Sequence, residues 1–248
     1  MWPTRRIVAL TQIAPDMEHD RLVALLDDVD EDRHRGNDVG LRLCGACVEV
    51  LDVSGAGVML MTDGAHGGTL AVSDGVSTIL EELQFTLGEG PCIDAWQSQQ
   101  PVLEPDLVDP AAKRWPAFAG PAIDAGARAV FGFPLTSGTT CLGALELYLD
   151  HPGDLRPAQV SDAAVMADVI STAVLSLQAD APAGELAHEL GTVLDRRAVV
   201  HQAAGMVSAK LDIAVRDALV RIRARSYLDS RPVNEVARDV VQRRLRFD

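Results

Sequence analysis

The stretch RAVFGFPLTSGTTCLGALELYLD, residues 128–150, carries the clearest signal for the fold of this chain. Two apolar runs flank the polar segment TSGTT, whose glycine and hydroxyl residues are typical of a tight turn. The pattern predicts two strands joined by that turn. The second run alternates imperfectly, because Ala144, Leu145 and Leu147 are all apolar. A strand that is covered on both faces has this pattern, so we expect it in the middle of a sheet.

The residues upstream predict more strands and the helices that flank them. Residues 55–75, GAGVMLMTD, GAHGG and TLAVSDG, predict a hairpin with a glycine-rich turn. Residues 76–107 predict a helix, a glycine-rich loop, a short helix and a further strand. Three other stretches predict helices, the last of them with Pro157 in its first turn: residues 15–33, 38–53 and 155–178.

The segment ADAPAG at residues 179–184 breaks the helical pattern and is the predicted linker. It divides the chain into a first domain at residues 1–178 and an all-helical second domain at residues 185–248. From Glu185 to Leu211 the sequence has the seven-residue spacing of a coiled coil. The two rows of this repeat are Leu186, Val193, Val200 and Val207, and Leu190, Arg197, Ala204 and Leu211. A helix this short buries little surface alone, so it needs a partner chain or the helices that follow.

Two more helices are predicted at residues 213–228 and 233–245. Asp212 is expected to cap the first, and Pro232 to lie in the first turn of the second. Three helices of this length make a small bundle.

The two parts of the chain differ in charge, although the whole has a formal net charge of −14. Residues 1–184 hold 10 Arg or Lys against 27 Asp or Glu, whereas residues 185–248 hold 12 against 9. A basic module in an acidic chain favours binding of a polyanion such as a nucleic acid. A solvated helical surface is the alternative explanation.

Composition also predicts the compartment and the state of the thiols. There is no convincing export signal and no run of about 18 apolar residues, which predicts a cytoplasmic protein without membrane association. Cys44 and Cys47 form a C-x-x-C pair on the helix at 38–53, but no second pair or Cys–His partner accompanies them. We therefore expect buried thiols and no metal. On that helix one face is expected to be shared by Leu41, Cys44, Val48 and Leu51.

Several segments, taken in order, resemble a known family pair. LGEGPCIDAW, RWPAF and RAVFGFPL…CLGALELYLDHPG resemble the GAF sensor domains that precede ANTAR domains in actinobacterial regulators. RRAVVHQAAGMV…DALVRIRARSY…SRPVNEVARDVV resembles an ANTAR domain across all three of its helices. The resemblance implies an α+β GAF domain, with an antiparallel sheet of about six strands flanked by helices, followed by an all-α three-helix ANTAR bundle with a coiled-coil extension. It also implies a homodimer that binds paired RNA stem-loops in nascent transcripts and prevents transcription termination.

The residues expected to contact RNA are cationic, hydrogen-bonding or small. In the ANTAR pattern an arginine is followed by Ala-Lys-Gly, and here Arg197 is followed by Ala203, Ala204 and Gly205, so Ala204 stands where the family has lysine. The small residues would let RNA approach the helix closely; the alternative is that Gly205 only lets two helices pack tightly. The full set of candidates is Arg196, Arg197, His201, Gln202, Ala203, Ala204, Gly205, Lys210, Arg221, Arg223 and Arg225.

The GAF resemblance implies a pocket for a small molecule, whose identity the sequence leaves open. The candidate ligand-binding residues are Cys92, Trp115 and Phe131, although Trp115 also fits a core position. Gly88 and Gly90 are interpreted as turn formers, because no phosphate-binding motif surrounds them. No grouping of catalytic residues is recognisable, so the chain is predicted not to be an enzyme.

Three other functions stay open at this stage. A DNA-binding regulator would need a recognition helix, but the inner face of the last helix is expected to be occupied by Val233, Val236, Val240 and Val241. A dimeric module that binds only protein is the second alternative. The third is a thiol-dependent methionine sulfoxide reductase of the GAF type, in which Cys92 would be the nucleophile.

Overall fold

The computed structural model describes residues 39–62, 65–109, 114–179, 198–229 and 231–247. The helix predicted at 15–33, most of the predicted linker and the first half of the heptad helix lie outside the described residues. Arg196 and Arg197, two of the expected RNA contacts, lie outside them too.

The described elements follow the predicted order of helices and strands, except that a short helix at Ala119–Ala125 was not predicted. The first part contains α1 (Val39–Leu51), β1 (Gly55–Thr62), β2 (Ala65–Val72), α2 (Gly75–Leu87), α3 (Pro91–Ser98), β3 (Val102–Glu104), α4 (Ala119–Ala125), β4 (Ala129–Ser137), β5 (Thr140–Leu149) and α5 (Pro157–Ala179). The second part contains α6 (Ala198–Leu211), α7 (Val215–Asp229) and α8 (Val233–Val241).

The described strands form one antiparallel sheet of five strands in the order β2-β1-β5-β4-β3. β5 lies at its centre, as the continuous apolar run predicts. Leu145 marks this position, since it lies opposite Val58 on β1 and Phe133 on β4. The family resemblance implied about six strands, and the described residues contain five.

Helices cover both faces of the sheet, so each face has its own apolar core. α1 and α5 pack on one face, where Phe131, Phe133 and Met166 are fully buried. α2, α3 and α4 pack on the other face, around Leu80 and Phe118. The sheet is thus the middle layer of three, which explains why its central strand is apolar on both sides.

Helix α1 confirms the burial of the cysteine pair and corrects one residue of its apolar face. Cys44 and Cys47 are fully buried, and burial raises the pKa of the Cys47 thiol to about 12. Leu51 is also buried, but Leu41 is 52% exposed. The buried face of α1 passes through Leu43 and Cys47, and Leu41 lies just beside it.

Helix α5 begins at Pro157, as predicted, and runs for 23 residues. Among the described residues it is the one helix that is long and apolar enough to cross a membrane, although no such run was predicted. It buries Val165, Met166 and Ile170 in the core on one face of the sheet. We therefore assign α5 to the core of the first domain.

The three C-terminal helices enclose a small apolar core of their own, which confirms the predicted bundle. The core residues come from all three helices and are small or β-branched for the most part: Val200, Ala203, Ala204, Val207, Ala218, Leu219, Ile222, Val233, Val236, Ala237 and Val240. Such side chains let short helices pack closely.

The connection between α6 and α7 differs from the expected one. Asp212 has a left-handed φ of 53° and directly follows the end of α6, so it does not cap α7, which begins at Val215. The turn is closed by Ser208, whose hydroxyl donates to the carbonyl of Ile213 over 2.6 Å. Pro232 is the N-cap of α8 and directly precedes its first turn, one residue earlier than expected.

Candidate functional site

Polar side chains from α2 and β5 meet beneath the helices on one face of the sheet. Glu81, Gln84 and Glu146 are each at most 1% exposed, although the sheet and helices around them are apolar. Gln84 Nε2 donates to Glu146 Oε1 over 2.8 Å, and Gln84 Oε1 accepts from the backbone N–H of Cys92 over 2.8 Å. Gln84 therefore links the central strand to the start of α3. We call Glu81, Gln84, Cys92 and Glu146 the buried polar cluster.

The position of α2 is fixed by caps at both of its ends. Asp74 caps its start, where the carboxylate accepts from the N–H of Ser77 over 2.7 Å. The other oxygen of Asp74 accepts from the hydroxyl of Tyr148 over 2.9 Å, which ties this cap to β5. Gly88 ends the helix with a left-handed φ of 69°. These contacts hold Glu81 and Gln84 against the sheet.

Two glycines make room for the buried polar cluster. Gly57 on β1 and Gly132 on β4 both lie opposite Glu146 in the register. A Cβ on Gly57 would lie 3.0 Å from Glu81 Oε1, and a Cβ on Gly132 would lie 2.4 Å from the carbonyl oxygen of Pro91. The missing side chains let Glu81 and the first turn of α3 approach the sheet.

Burial controls the ionisation of this cluster. Burial raises the pKa of Glu146 well above its ordinary value, and the neighbouring carboxylates Glu81 and Asp74 raise it further. Burial, then Glu146 and Glu81, also raise the pKa of the Cys92 thiol, while a hydrogen bond with Gln84 lowers it. Cys92 is consequently a neutral thiol at physiological pH, which is the unreactive form.

The glycines of the LGEGPC segment are confirmed as turn formers. Gly88 and Gly90 have φ values of 69° and 135°. A Cβ on Gly90 would lie 2.5 Å from Cγ of Gln84, so this glycine lets the Gln84 side chain pass to Cys92.

The three residues expected to bind a ligand do not lie together. Cys92 and Trp115 are both in the core on the α2–α3 side of the sheet. Phe131 is in the core on the opposite face, with α1 and α5, so its assignment to the same pocket is wrong. Successive strand residues point to opposite faces, and Val130 rather than Phe131 faces the α2–α3 side.

Trp115 acts as an anchor for the segment that precedes α4. Its indole N–H donates to Asp94 Oδ2 over 3.1 Å, and its ring meets Phe118 edge-on at 5.8 Å. Arg114 pairs with the same carboxylate over 3.0 Å and lies above the Trp115 ring. Trp115 thus holds residues 114–118 against α3, which agrees with its alternative interpretation as a core residue.

Sequence reasoning missed Glu81, Gln84 and Glu146. A signal for them exists in the sequence, since Glu146 is the single charged residue within the apolar run CLGALELYL. A charge in the middle of a buried strand requires a polar partner, and that partner is Gln84.

The small residues of α6 divide into buried and exposed positions. Ala203 and Ala204 are fully buried in the bundle core, so they do not form part of an open surface for RNA as expected. Gly205 is exposed, and a Cβ placed on it would meet no atom within 4 Å, so tight packing against another described helix does not explain this glycine. Of the three small residues expected to let RNA approach α6, only Gly205 is exposed.

The remaining RNA candidates lie on different sides of the bundle. His201 is half-buried and Gln202 is exposed on α6. Lys210 is exposed and donates to the carbonyl of Phe247 over 2.7 Å, which ties the C-terminal residues to α6. All three side chains belong to α6.

The arginines of α7 diverge, as their spacing predicts. Arg221 and Arg225 are exposed, and Arg225 pairs with Asp229 over 2.7 Å. Arg223 is half-buried, and its Cζ lies 5.9 Å from the centroid of the Phe85 ring on α2. One candidate of the three therefore faces the first domain.

A family model described as "GAF domain" matches residues 37–174, which is more than half of the 248 residues. The chain belongs to the GAF domain family. The match ends within α5 and does not include the three C-terminal helices. No curated protein matches the chain at a significant level.

Solved structures similar to this chain include other GAF domains. One is the GAF domain of an Acinetobacter phosphoenolpyruvate-protein phosphotransferase, 13% identical with a TM-score of 0.50; the match covers 68% of this chain and 98% of that one. Another, from the Coxiella burnetii phosphotransferase, is 15% identical with a TM-score of 0.47 and covers 64% and 95%. A free methionine-R-sulfoxide reductase from Neisseria meningitidis, in complex with its substrate, is 13% identical with a TM-score of 0.40 and covers 68% and 91%. At these identities the likeness concerns the fold alone.

The GAF domain and the helical bundle contact each other through α2 and α7. Phe85, which belongs to the GAF domain, is 2% exposed and lies in the apolar core of the bundle, beside residues such as Ile222. The same helix α2 carries Glu81 and Gln84 on its sheet side. One helix thus takes part both in the buried polar cluster and in the contact between domains.

Proposed function

We propose that this chain is a cytoplasmic, signal-responsive RNA-binding regulator. Its GAF domain senses a small molecule, and its C-terminal bundle binds stem-loops in nascent transcripts and prevents transcription termination. The protein acts as a homodimer and is not an enzyme. Support comes from the resemblance of the tail to ANTAR domains and from the charge of that tail.

The observation that carries the RNA proposal is the net positive charge of the tail in an otherwise acidic chain. From Arg196 onwards the tail holds 12 basic and 6 acidic residues, whereas residues 1–184 have a net charge of −17. Arg221 is exposed on α7, where a phosphate can reach its guanidinium. Tyr227 on the same helix is 61% exposed and offers an aromatic ring for base stacking.

The reductase alternative requires a reactive Cys92, and the geometry disfavours it. The Cys92 side chain is fully buried, and burial together with Glu146 and Glu81 raises the pKa of its thiol. A nucleophilic cysteine needs the opposite environment, with a lowered pKa and access for substrate.

The test is direct binding of RNA by the full-length chain. An RNA with two adjacent stem-loops is compared with an unpaired RNA of equal length and with double-stranded DNA of the same sequence. We expect preference for the paired stem-loops, and log affinity should fall linearly with log salt concentration. Equal affinity for the DNA duplex would favour a DNA-binding regulator, and absence of binding to any nucleic acid would favour a protein-binding module.

Single arginine variants locate the interface. Arg221→Ala should weaken binding and reduce the salt slope by about 0.7–0.9, the value for one lost phosphate contact. Arg156→Ala, at an exposed arginine of the GAF domain, changes the net charge equally and is the matched control. An equal loss in both variants would mean that only the overall charge matters. Readthrough of a terminator in transcription with purified polymerase then tests antitermination.

A further inference from the structure

The contact between the GAF domain and the bundle has a hydrophobic centre. Phe85 projects from the last turn of α2 into the core formed by α6, α7 and α8, where it is almost completely buried. An aromatic side chain of one domain thereby completes the core of another. A contact of this kind holds the two domains in a defined arrangement.

Arg223 lies at the edge of this contact, between an aromatic ring and a glycine. Its Cζ is 5.9 Å from the centroid of the Phe85 ring, within range of a cation–π interaction. The same guanidinium also lies against Gly88, since a Cβ added there would lie 2.8 Å from Arg223 Nη1 and 3.4 Å from its Cζ. The guanidinium therefore packs against the bare backbone of Gly88. No side chain larger than hydrogen fits at residue 88 unless the arginine moves.

The two neighbouring arginines of α7 differ from Arg223 in exposure. Arg221 and Arg225 are exposed on α7, whereas Arg223 is half-buried under the end of α2. A guanidinium that lies over Phe85 and touches Gly88 exposes less of its surface to a base than the guanidinium of Arg221 does.

We infer that the structure represents a docked state in which α2 of the GAF domain withholds Arg223 from RNA. Phe85 and Gly88 hold the guanidinium, and RNA competes with α2 for it. The RNA half of this inference rests on the proposed function; the docking half does not.

The same helix end connects docking to the buried polar cluster. Gln84 directly precedes Phe85 in α2 and hydrogen-bonds Glu146 and the N–H of Cys92. A ligand that breaks these bonds would act on the last turn of α2, to which Gln84 belongs. That turn carries Phe85 and leads into Gly88. Displacement of this turn frees Arg223, and this is how a signal in the GAF domain reaches the bundle.

The docking half is tested by chemical modification of arginine in the full-length chain. Phenylglyoxal modifies accessible guanidinium groups, and mass spectrometry of peptides gives the rate at each arginine. The ratio of the rate at Arg223 to that at Arg221 reports docking, because both residues lie on α7. Phe85→Ala should raise this ratio by about fivefold or more, as expected when a stacking contact is lost. Ile79→Ala, an exposed apolar residue on the same helix α2, should leave it unchanged.

Gly88→Ala is a second test variant, which leaves Phe85 in place, and Gly138→Ala is its control. Gly88→Ala adds a Cβ against Arg223, whereas Gly138→Ala adds one in open space. Both glycines have similar left-handed φ values, 69° and 60°, so both variants carry similar backbone strain. The ratio should rise in Gly88→Ala and not in Gly138→Ala. An unchanged ratio in both Phe85→Ala and Gly88→Ala, with the fold verified by circular dichroism, overturns the docking.

The RNA half is tested with the same variants and the paired stem-loop RNA at one salt concentration. Phe85→Ala and Gly88→Ala should bind about fivefold more tightly than the wild type, and Ile79→Ala and Gly138→Ala should not. If the modification ratio rises while affinity stays unchanged, Arg223 is not withheld from RNA and that half is wrong. If no variant binds RNA although the ratio rises, the docked contact stands and the proposed function falls.

Discussion

Gln84 Nε2 lies 2.8 Å from Glu146 Oε1, and both side chains are fully buried in the GAF domain. The other oxygen, Glu146 Oε2, has no hydrogen-bond partner among the described residues. Burial and the nearby carboxylates Glu81 and Asp74 raise the pKa of Glu146. Because Oε1 already accepts from Gln84, Oε2 is the atom that would carry the proton. This site therefore stabilises the neutral form of Glu146.

Glu146→Gln tests that ionisation through the pH dependence of stability. The folded chain keeps the Glu146 proton to higher pH than the unfolded chain, whose glutamate titrates near its ordinary value of 4.5. As the pH rises above 4.5, the free energy of unfolding of the wild type falls by about 1.4 kcal/mol for each unit that separates the two pKa values. Glu146→Gln removes this fall, so its stability relative to the wild type increases between pH 5 and pH 8. Urea denaturation of both proteins between pH 5 and pH 8 measures this difference in the free energy of unfolding.

The control for this variant is Glu49→Gln on the exposed face of α1. The gain in stability with pH, relative to the wild type, should be larger in Glu146→Gln than in Glu49→Gln. A curve for Glu146→Gln that runs parallel to the wild type would mean that Glu146 is ionised inside the fold, and the role assigned to its burial would be wrong.

The central position of β5 could be predicted from the sequence, but the contents of the site could not. A strand buried on both faces is apolar at most of its positions, and this leaves a pattern in the sequence. The alternation within β4 separates its two faces but does not say which face a ligand would approach, and for that reason Phe131 was misplaced. Leu41 was misplaced because two neighbouring stripes of α1 are both apolar and only packing selects one.

The contact of Phe85 with Arg223 leaves no pattern in the sequence. Both residues fit their own helices without it: Phe85 matches the apolar side of α2, and Arg223 matches a solvated position on α7. Their meeting depends on how two domains are arranged, which helical periodicity does not determine. The same is true of Ala203 and Ala204, whose small size suits a close helix contact and an open surface equally well.

The thiols should react in an order set by burial. Cys141 is half-buried, while Cys44, Cys47 and Cys92 are fully buried. Iodoacetamide should modify Cys141 first in the native chain, and Cys92 only on a timescale of local opening. Mass spectrometry of digested samples gives the four rates. Rapid modification of Cys92 would restore the reductase hypothesis, and a sulfoxide reductase assay with free methionine sulfoxide would then be decisive.

Gly132→Ala should destabilise the GAF domain by about 1–3 kcal/mol, the usual cost of overpacking a tight interior. Its new Cβ would lie 2.4 Å from the carbonyl oxygen of Pro91, and this backbone atom can move only if α3 moves. Gly45→Ala on α1 is the matched control, since no atom lies within 4 Å of its Cβ. It should stabilise the chain by about 0.5–1 kcal/mol, because glycine is unfavourable in a helix interior. Equal effects of the two variants would contradict the close approach of α3 to the sheet.

Two variants of Gly205 distinguish its effect on stability from its effect on RNA binding. Gly205 is the one exposed residue among Ala203, Ala204 and Gly205. In Gly205→Ala the added methyl group meets no atom of the protein, so the free energy of unfolding should rise by about 0.5–1 kcal/mol, as for Gly45→Ala. If RNA approaches α6 at this position, Gly205→Leu should lower affinity for the paired stem-loops about tenfold while the bundle remains folded. Gly45→Ala should leave RNA affinity unchanged. Among the described residues, nothing lies within 4 Å of the position that a Cβ on Gly205 would occupy. Undiminished affinity in Gly205→Leu would remove α6 from the interface and confine RNA contact to the arginines of α7.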